Sequence, residues 1–244
     1  MKKFYATITL AILCLSIVLS LSFTVNAQQS ESWPMFHRDL AHTGYSTAKG
    51  PSTNQTIWTF KTQNKVWSSP SIVNGVVYFG SFDKNVYAVN AADGAKIWNY
   101  STGGRIWSSP AVANNIVYIG SDDHNIYALN AQTGAQVWKF TTSGQAQSSP
   151  MVSGEIVYAG SNDNQLYALN AANGALVWNY TTGGDVISCP AVVNDNVYFG
   201  SYDHNVYALD TLTGTLKWSY KTGNVVQSSP VIACLLYTSD AADE

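Results

Sequence analysis

Residues 69–98 read SPSIVNGVVYFGSFDKNVYAVNAADGAKIW, and the punctuation of this stretch decides the fold. Ser71-Ile72-Val73 is a short apolar run. Asn74-Gly75 follows, a dipeptide suited to a two-residue hairpin turn with positive φ. Val76 to Ser81 is a second run, apolar on both faces and so expected to be sandwiched. Phe82-Asp83-Lys84 turns into a third run, Asn85 to Val89. Ala92-Asp93-Gly94 turns again, with Gly94 in the left-handed position. Ala95 to Tyr100 is a fourth run, in which Trp98 and Tyr100 share one face while Asn99 points to the other. Four short strands in about forty residues make one blade of a β-propeller.

The stretch recurs at a shift of 40 with no insertion. Ser68-Ser69-Pro70 returns as Ser108-Ser109-Pro110, Ser148-Ser149-Pro150, Ser188-Cys189-Pro190 and Ser228-Ser229-Pro230. Tyr78-Phe79-Gly80-Ser81 returns as Tyr118-Ile119-Gly120-Ser121, Tyr158-Ala159-Gly160-Ser161 and Tyr198-Phe199-Gly200-Ser201. Trp58, Trp98, Trp138, Trp178 and Trp218 keep the same spacing. A fixed period of this length marks a repeat architecture, and no segment from 57 to 233 has a helical period. The expected fold is all-β, a propeller of four-stranded blades. Four copies are complete, flanked by fragments, so the ring is incomplete.

The segment 88–98, AVNAADGAKIW, is similar to the tryptophan-docking motif of the pyrroloquinoline-quinone-type (PQQ-like) repeat propellers. So are 128–138 (ALNAQTGAQVW), 168–178 (ALNAANGALVW) and 208–218 (ALDTLTGTLKW). The resemblance covers 57–233. It implies that Gly94, Gly134, Gly174 and Gly214 open a turn on which a tryptophan docks between neighbouring blades. Trp33 to Asp39 and Thr43-Gly44-Tyr45, within the segment 28–56, are similar to the lead-in of such propellers. The segment Thr56 to Phe60 has a fourth-strand pattern with no three strands before it. In a closed ring it would complete a last blade supplied by further copies.

The two ends read differently from the repeat. Lys2 and Lys3 precede an apolar run, Ala6 to Val25, that stops at Val25-Asn26-Ala27, so 1–27 is expected to be a secretory signal. An uncleaved membrane anchor is the alternative. Cys14 lies inside the apolar run and is not read as a lipoprotein cysteine. Residues 234–244, CLLYTSDAADE, break the repeat register and resemble a translated sequencing adapter. The natural sequence is therefore expected to depart from this one after Ala233.

Composition narrows the function. Without those two ends the chain holds 10 basic and 12 acidic residues, a charge of −2, so no basic field attracts nucleic acid. Charged residues are 11% of the chain, and Asn, Ser, Thr and Gln supply the polar surface instead. Cys189 is the one cysteine between the ends, so no disulfide forms within them. Its setting in a repeated Ser-Ser-Pro reads as a small buried thiol. The resemblance implies that a quinone dehydrogenase would need an adjacent cysteine pair, an aspartate base and a carboxylate-bound calcium. The sequence has no such pair. PQQ or calcium enters only if a region beyond this chain supplies the site.

Asp83, Asp123, Asp163 and Asp203 share one turn position, and Asn85, Asn125 and Asn205 follow two residues on. One carboxylate per turn is too sparse for calcium, which takes about six or more oxygens. A side chain bonded to its own turn accounts for the repetition. His124 and His204, two blades apart, are expected to be solvated turn residues rather than ligands of one zinc ion. No catalytic, cofactor or metal residue is therefore assigned.

The departures from the repeat are more informative. Trp67 and Trp107 stand where later copies have Gln147, Ile187 and Gln227, and Arg105 lies beside Trp107. These loops join one blade to the next, near the axis and at the end that carries the Asp turns. Repeats keep scaffold positions alike and vary binding positions. Two readings stay open: anchors for a protein, peptide or glycan, or tryptophans packed between blades. Asn54, Asn99 and Asn179 head N-glycosylation sequons. The expected protein is an exported, non-catalytic binding or scaffold propeller, like the lipoprotein of outer-membrane protein assembly that shares this blade type. A fragment of a quinone dehydrogenase and the sensor ectodomain of a surface protein are the alternatives. Membrane association would run through an uncleaved leader.

Overall fold

The computed structural model describes residues 32–47 and 53–233. The leader 1–27, Cys14 and the tail 234–244 lie outside the described residues.

Four antiparallel four-stranded sheets follow one another, each made from consecutive strands. Blade 1 holds β1 (Ser71–Val73), β2 (Val76–Gly80), β3 (Asn85–Asn90) and β4 (Lys96–Ser101). Blade 2 holds β5 (Ala111–Ala113), β6 (Ile116–Ser121), β7 (Asn125–Asn130) and β8 (Gln136–Thr141). Blade 3 holds β9 (Met151–Ser153), β10 (Ile156–Ser161), β11 (Gln165–Asn170) and β12 (Leu176–Thr181). Blade 4 holds β13 (Ala191–Val193), β14 (Asn196–Gly200), β15 (Asn205–Asp210) and β16 (Leu216–Lys221). The first strands β1, β5, β9 and β13 meet their neighbours in sequence, so they are the inner strands. The second and third strands are buried on both faces, as a sheet sandwiched between two others must be.

The Asn-Gly turn forms as its chemistry requires, with Asn74 at φ 52° and Gly75 at φ 74°. The fourth strands carry a feature the alternation does not reveal. Val89 pairs with Lys96 while Ala88 pairs with Trp98, so Ile97 is an extra, unpaired residue, and the same shift recurs in every blade. Such a bulge bends the strand and re-aims the residues beside it. Ile97, Val137 and Val177 are left exposed, while Trp98, Trp138 and Trp178 turn inward.

Those three tryptophans, with Trp58, dock on the next blade. Each indole Nε1–H donates to a carbonyl 33 residues on: Trp58 to Ala91 and Trp98 to Ala131, both at 2.9 Å, then Trp138 to Ala171 at 2.9 Å and Trp178 to Thr211 at 3.0 Å. The phenol hydroxyls of Tyr78, Tyr118 and Tyr158 donate to the last three of these carbonyls, each at 3.1 Å. Burial pushes the Tyr118 and Tyr158 hydroxyls up to about 12, so they stay neutral donors. The indole lies flat against the glycine of the following turn. A Cβ at Gly94, Gly134, Gly174 or Gly214 would come within 2.7 Å of the ring of Trp58, Trp98, Trp138 or Trp178, and all four glycines have positive φ. Among the described residues no blade follows Trp218, and it is 46% exposed. The segment Thr56 to Phe60 docks through Trp58 and packs Phe60 on Phe79 and Tyr87, yet forms no ladder among the described residues.

The lead-in crosses the inner strands. Trp33 exchanges two backbone hydrogen bonds with Ile72, at 2.7 and 2.8 Å. Val112 N–H then donates to Pro34 O at 2.7 Å, Val192 N–H to Leu40 O at 2.8 Å and Ile232 N–H to Ala41 O at 3.0 Å. Ile72, Val112, Val192 and Ile232 are one repeat position, so the lead-in satisfies the inner-edge amides of blades 1, 2 and 4 and of the following fragment. Met35 is buried in the same core as Met151. His42 is 1% exposed, with its Nδ1 3.0 Å from Pro230 O. Burial holds its ring below the usual histidine range, so it is neutral.

Candidate functional site

Each blade has two ends. One carries the turns between first and second and between third and fourth strands, the other the turns between second and third strands and the loops between blades. The second end is built from a repeated set of ties. Asp123 Oδ1 accepts from Asn125 N–H at 3.2 Å, which closes its own turn. Its Oδ2 accepts from Tyr127 O–H at 2.8 Å and from Gly103 N–H at 2.5 Å. Asp83, Asp163 and Asp203 make the same three kinds of bond, to Gln63, Ser143 and Gly183 in the preceding loop. The turn bond agrees with the sequence reading. The bond to the preceding loop is additional and ties neighbouring segments together. Burial alone would raise the Asp123 carboxyl, but its hydrogen bonds outweigh burial and hold it below the ordinary range, as at Asp83 and Asp203. Desolvation and the Asp83 partner push Tyr87 up to about 12.

The Ser-Ser-Pro loops form a second tie. Ser69 N–H donates to Ser109 Oγ at 2.9 Å, Ser109 N–H to Ser149 Oγ at 2.8 Å, and Cys189 N–H to Ser229 Oγ at 2.9 Å. The Cys189 thiol takes the place of a serine hydroxyl in this ladder. Burial pushes it up against hydrogen bonds from Ser149 and Ser229, so it is an inert thiol. His124 and His204 occupy left-handed turn positions at φ 68° and 72°, and their carbonyls accept from Thr142 and Thr222. Asn99 and Asn179 are exposed on β4 and β12.

On this frame Trp67, Trp107 and Arg105 come together. Their organiser is Phe82, which the sequence reading treated as a turn residue. Phe82 N–H donates to Lys65 O at 2.9 Å, which sets its ring beside the loop before β1. Trp67 stacks on Phe82 at 5.7 Å and 21°, and meets Trp107 edge-on at 4.9 Å. Phe82 and Trp107 are 4.4 Å apart. The Arg105 guanidinium lies 5.8 Å over the Phe82 ring, within cation–π reach. Trp67 is 60% exposed. Trp107 is half-buried and its Nε1–H donates to Asp122 Oδ2 at 3.1 Å. Asp122 Oδ1 accepts from Gln147 Nε2 at 2.8 Å.

The arrangement offers an open indole face, a planar cation and a row of amide and carboxylate groups. It contains no hydroxyl or thiol nucleophile paired with a base. The resemblance to quinone enzymes implies a metal-bound cofactor, and the residues present do not fit one. Cys189 is consumed by the serine ladder, and the turn aspartates are consumed by their ties. No group of three or more His, Cys, Asp or Glu among the described residues could hold a metal ion.

The family described as outer membrane protein assembly factor BamB matches residues 43–106 and 147–235. No curated protein matches the chain. Among solved structures, BamB from Moraxella catarrhalis is similar with a TM-score of 0.64 and 20% identity, over 70% of this chain and 57% of that one. A europium-containing methanol dehydrogenase has a TM-score of 0.69 and 17% identity, over 80% of this chain and 50% of that one. A quinohemoprotein alcohol dehydrogenase from Pseudomonas putida HK5 has 0.68 and 19%, over 78% and 40%. At such identities the likeness shows the fold, and the chain spans about half the length of these structures.

Proposed function

The chain belongs to the family of the outer membrane protein assembly factor BamB, and from that premise we propose that it is a non-catalytic binding or scaffold propeller working outside the cytoplasm. The observation that carries this reading is the platform of Trp67, Phe82, Trp107 and Arg105. It stands on loops fixed by the Asp and Ser ties, and it departs from the repeat where a scaffold has no need to. Trp and Arg are the side chains that dominate binding energy at interfaces. The occupant is a protein, peptide or glycan. An indole face accepts an aromatic side chain or a sugar ring, and Arg105, Asp122 and Gln147 fix its orientation. The leader-like start of the sequence supports export.

The test uses printed peptide and glycan arrays probed with the full chain and with Trp67→Ala/Trp107→Ala. The reading expects bound spots that the double variant loses while its melting temperature stays within a few degrees. Spots bound equally by both proteins would overturn it.

A further inference from the structure

The opposite end of the blades carries a groove at each junction, and one of these grooves differs from the others in size and in charge. Between blades 1 and 2 the groove encloses about 180 Å³, and between blades 2 and 3 about 260 Å³. Between blades 3 and 4 it reaches about 820 Å³, where Asp39, Leu40, Ala41 and Thr43 of the lead-in add a wall. That volume lies in the range of ligand pockets.

Its chemistry also departs from the repeat. The hairpin tips read Asn74-Gly75, Asn114-Asn115, Gly154-Glu155 and Asn194-Asp195; Glu155 lines this groove and the one between blades 2 and 3, while Asp195 and Asp39 line this one alone. At the third tip Gly154 takes positive φ, 58°, and Glu155 does not, a turn that admits a long side chain in its second place. Neither Glu155 nor Asp195 forms an ion pair among the described residues. Asp39 keeps its charge, because hydrogen bonds from Thr43 and Ala41 outweigh the effect of burial. The floor is apolar: Leu40, Ile156, Tyr158 and Val192. Leu212 closes one side and is 76% exposed, where the other blades have Ala92, Gln132 and Ala172. No Lys or Arg lines the groove, and its three acids do not converge on one ion. The negative field disfavours phosphate-bearing ligands.

We propose that this groove binds a short peptide segment carrying both basic and apolar side chains. The cations face Glu155, Asp195 and Asp39, and the apolar side chains cover Ile156, Val192 and Leu212. This site is separate from the aromatic platform and does not depend on it.

Fluorescence anisotropy of a labelled hexapeptide of alternating Arg and Leu, titrated with the full chain, tests the proposal. Expected results are saturable binding that weakens as salt rises, and an affinity at least about tenfold lower for Glu155→Gln/Asp195→Asn. Leu212→Ser weakens it less, and both variants keep the melting temperature of the parent. Unchanged affinity in the acid-neutral variant would overturn the proposal. So would equal binding of a Glu-Leu hexapeptide, or displacement by spermidine at the same concentration as unlabelled Arg-Leu peptide.

Discussion

Trp178 and Trp218 occupy the same place in one repeated motif, ALNAANGALVWNY at 168–180 and ALDTLTGTLKWSY at 208–220, and have opposite environments. Trp178 is 9% exposed, bonded to Thr211 and stacked on Gly214. Trp218 is 46% exposed, and its indole N–H has no partner among the described residues. Tyr198, the repeat partner of Tyr158, likewise has no acceptor carbonyl among the described residues, although it lies 5.9 Å from Trp218. The local motif therefore sets the strand, the bulge and the aim of the indole. The glycine turn and the carbonyl of a following blade supply the burial. That is the nearest-neighbour logic of a repeat protein, in which each unit stabilises the one beside it.

The largest expected effect breaks a docked pair. Trp138→Ala leaves a cavity between two blades and costs about 3–5 kcal/mol. Trp218→Ala costs no more than about 0.5 kcal/mol, the level of an exposed substitution. Urea unfolding of both variants gives the difference, and equal losses would refute the comparison.

A second pair isolates the glycine turn. Gly174 and Gly75 share φ 74°, but a Cβ meets Trp138 at 2.7 Å at the first and nothing within 4 Å at the second. Gly75→Ala costs the left-handed strain alone, about 1–2 kcal/mol. Gly174→Ala adds overpacking of about 1–3 kcal/mol more. Differential scanning calorimetry ranks the two.

Acid sharpens the contrast between ties and docking. Asp83, Asp123 and Asp203 are more acidic in the folded chain than their ordinary value of 3.8. Their contribution is complete above that value and is lost as pH falls through the lower folded values. The melting temperature should hold from pH 7 to 5 and drop below about 4. Asp123→Asn should reduce that drop. An acid profile identical to that of the parent would remove the tie from the account.

Much of this was legible because it is local. Strand lengths, the Asn-Gly turn, the left-handed Gly94 and the inward face of Trp98 follow from residues a few positions apart. The resemblance to PQQ-like propellers added the docking. The lead-in staple was not legible, since Pro34 and Leu40 offer carbonyls to Val112 and Val192 through backbone atoms that carry no sequence signature. Phe82 was missed for a related reason. It reads as one more turn residue until the fold brings it under Trp67 and Trp107. The acid-lined groove depends on the same staple, which places Asp39 near Glu155 and Asp195.

A small effect on stability is also expected at the platform. Trp67→Ala/Trp107→Ala should change unfolding by no more than about 1 kcal/mol, because one ring is mostly in water and the other is half-buried. That near-silence makes the double variant the most direct test of a binding role. It is measured beside Trp138→Ala for both melting temperature and array binding. The account predicts a double variant that melts with the parent and binds none of its peptides or glycans, and a Trp138→Ala protein that melts early yet binds while folded. A double variant that melts early, or that keeps the binding pattern of the parent, would contradict it.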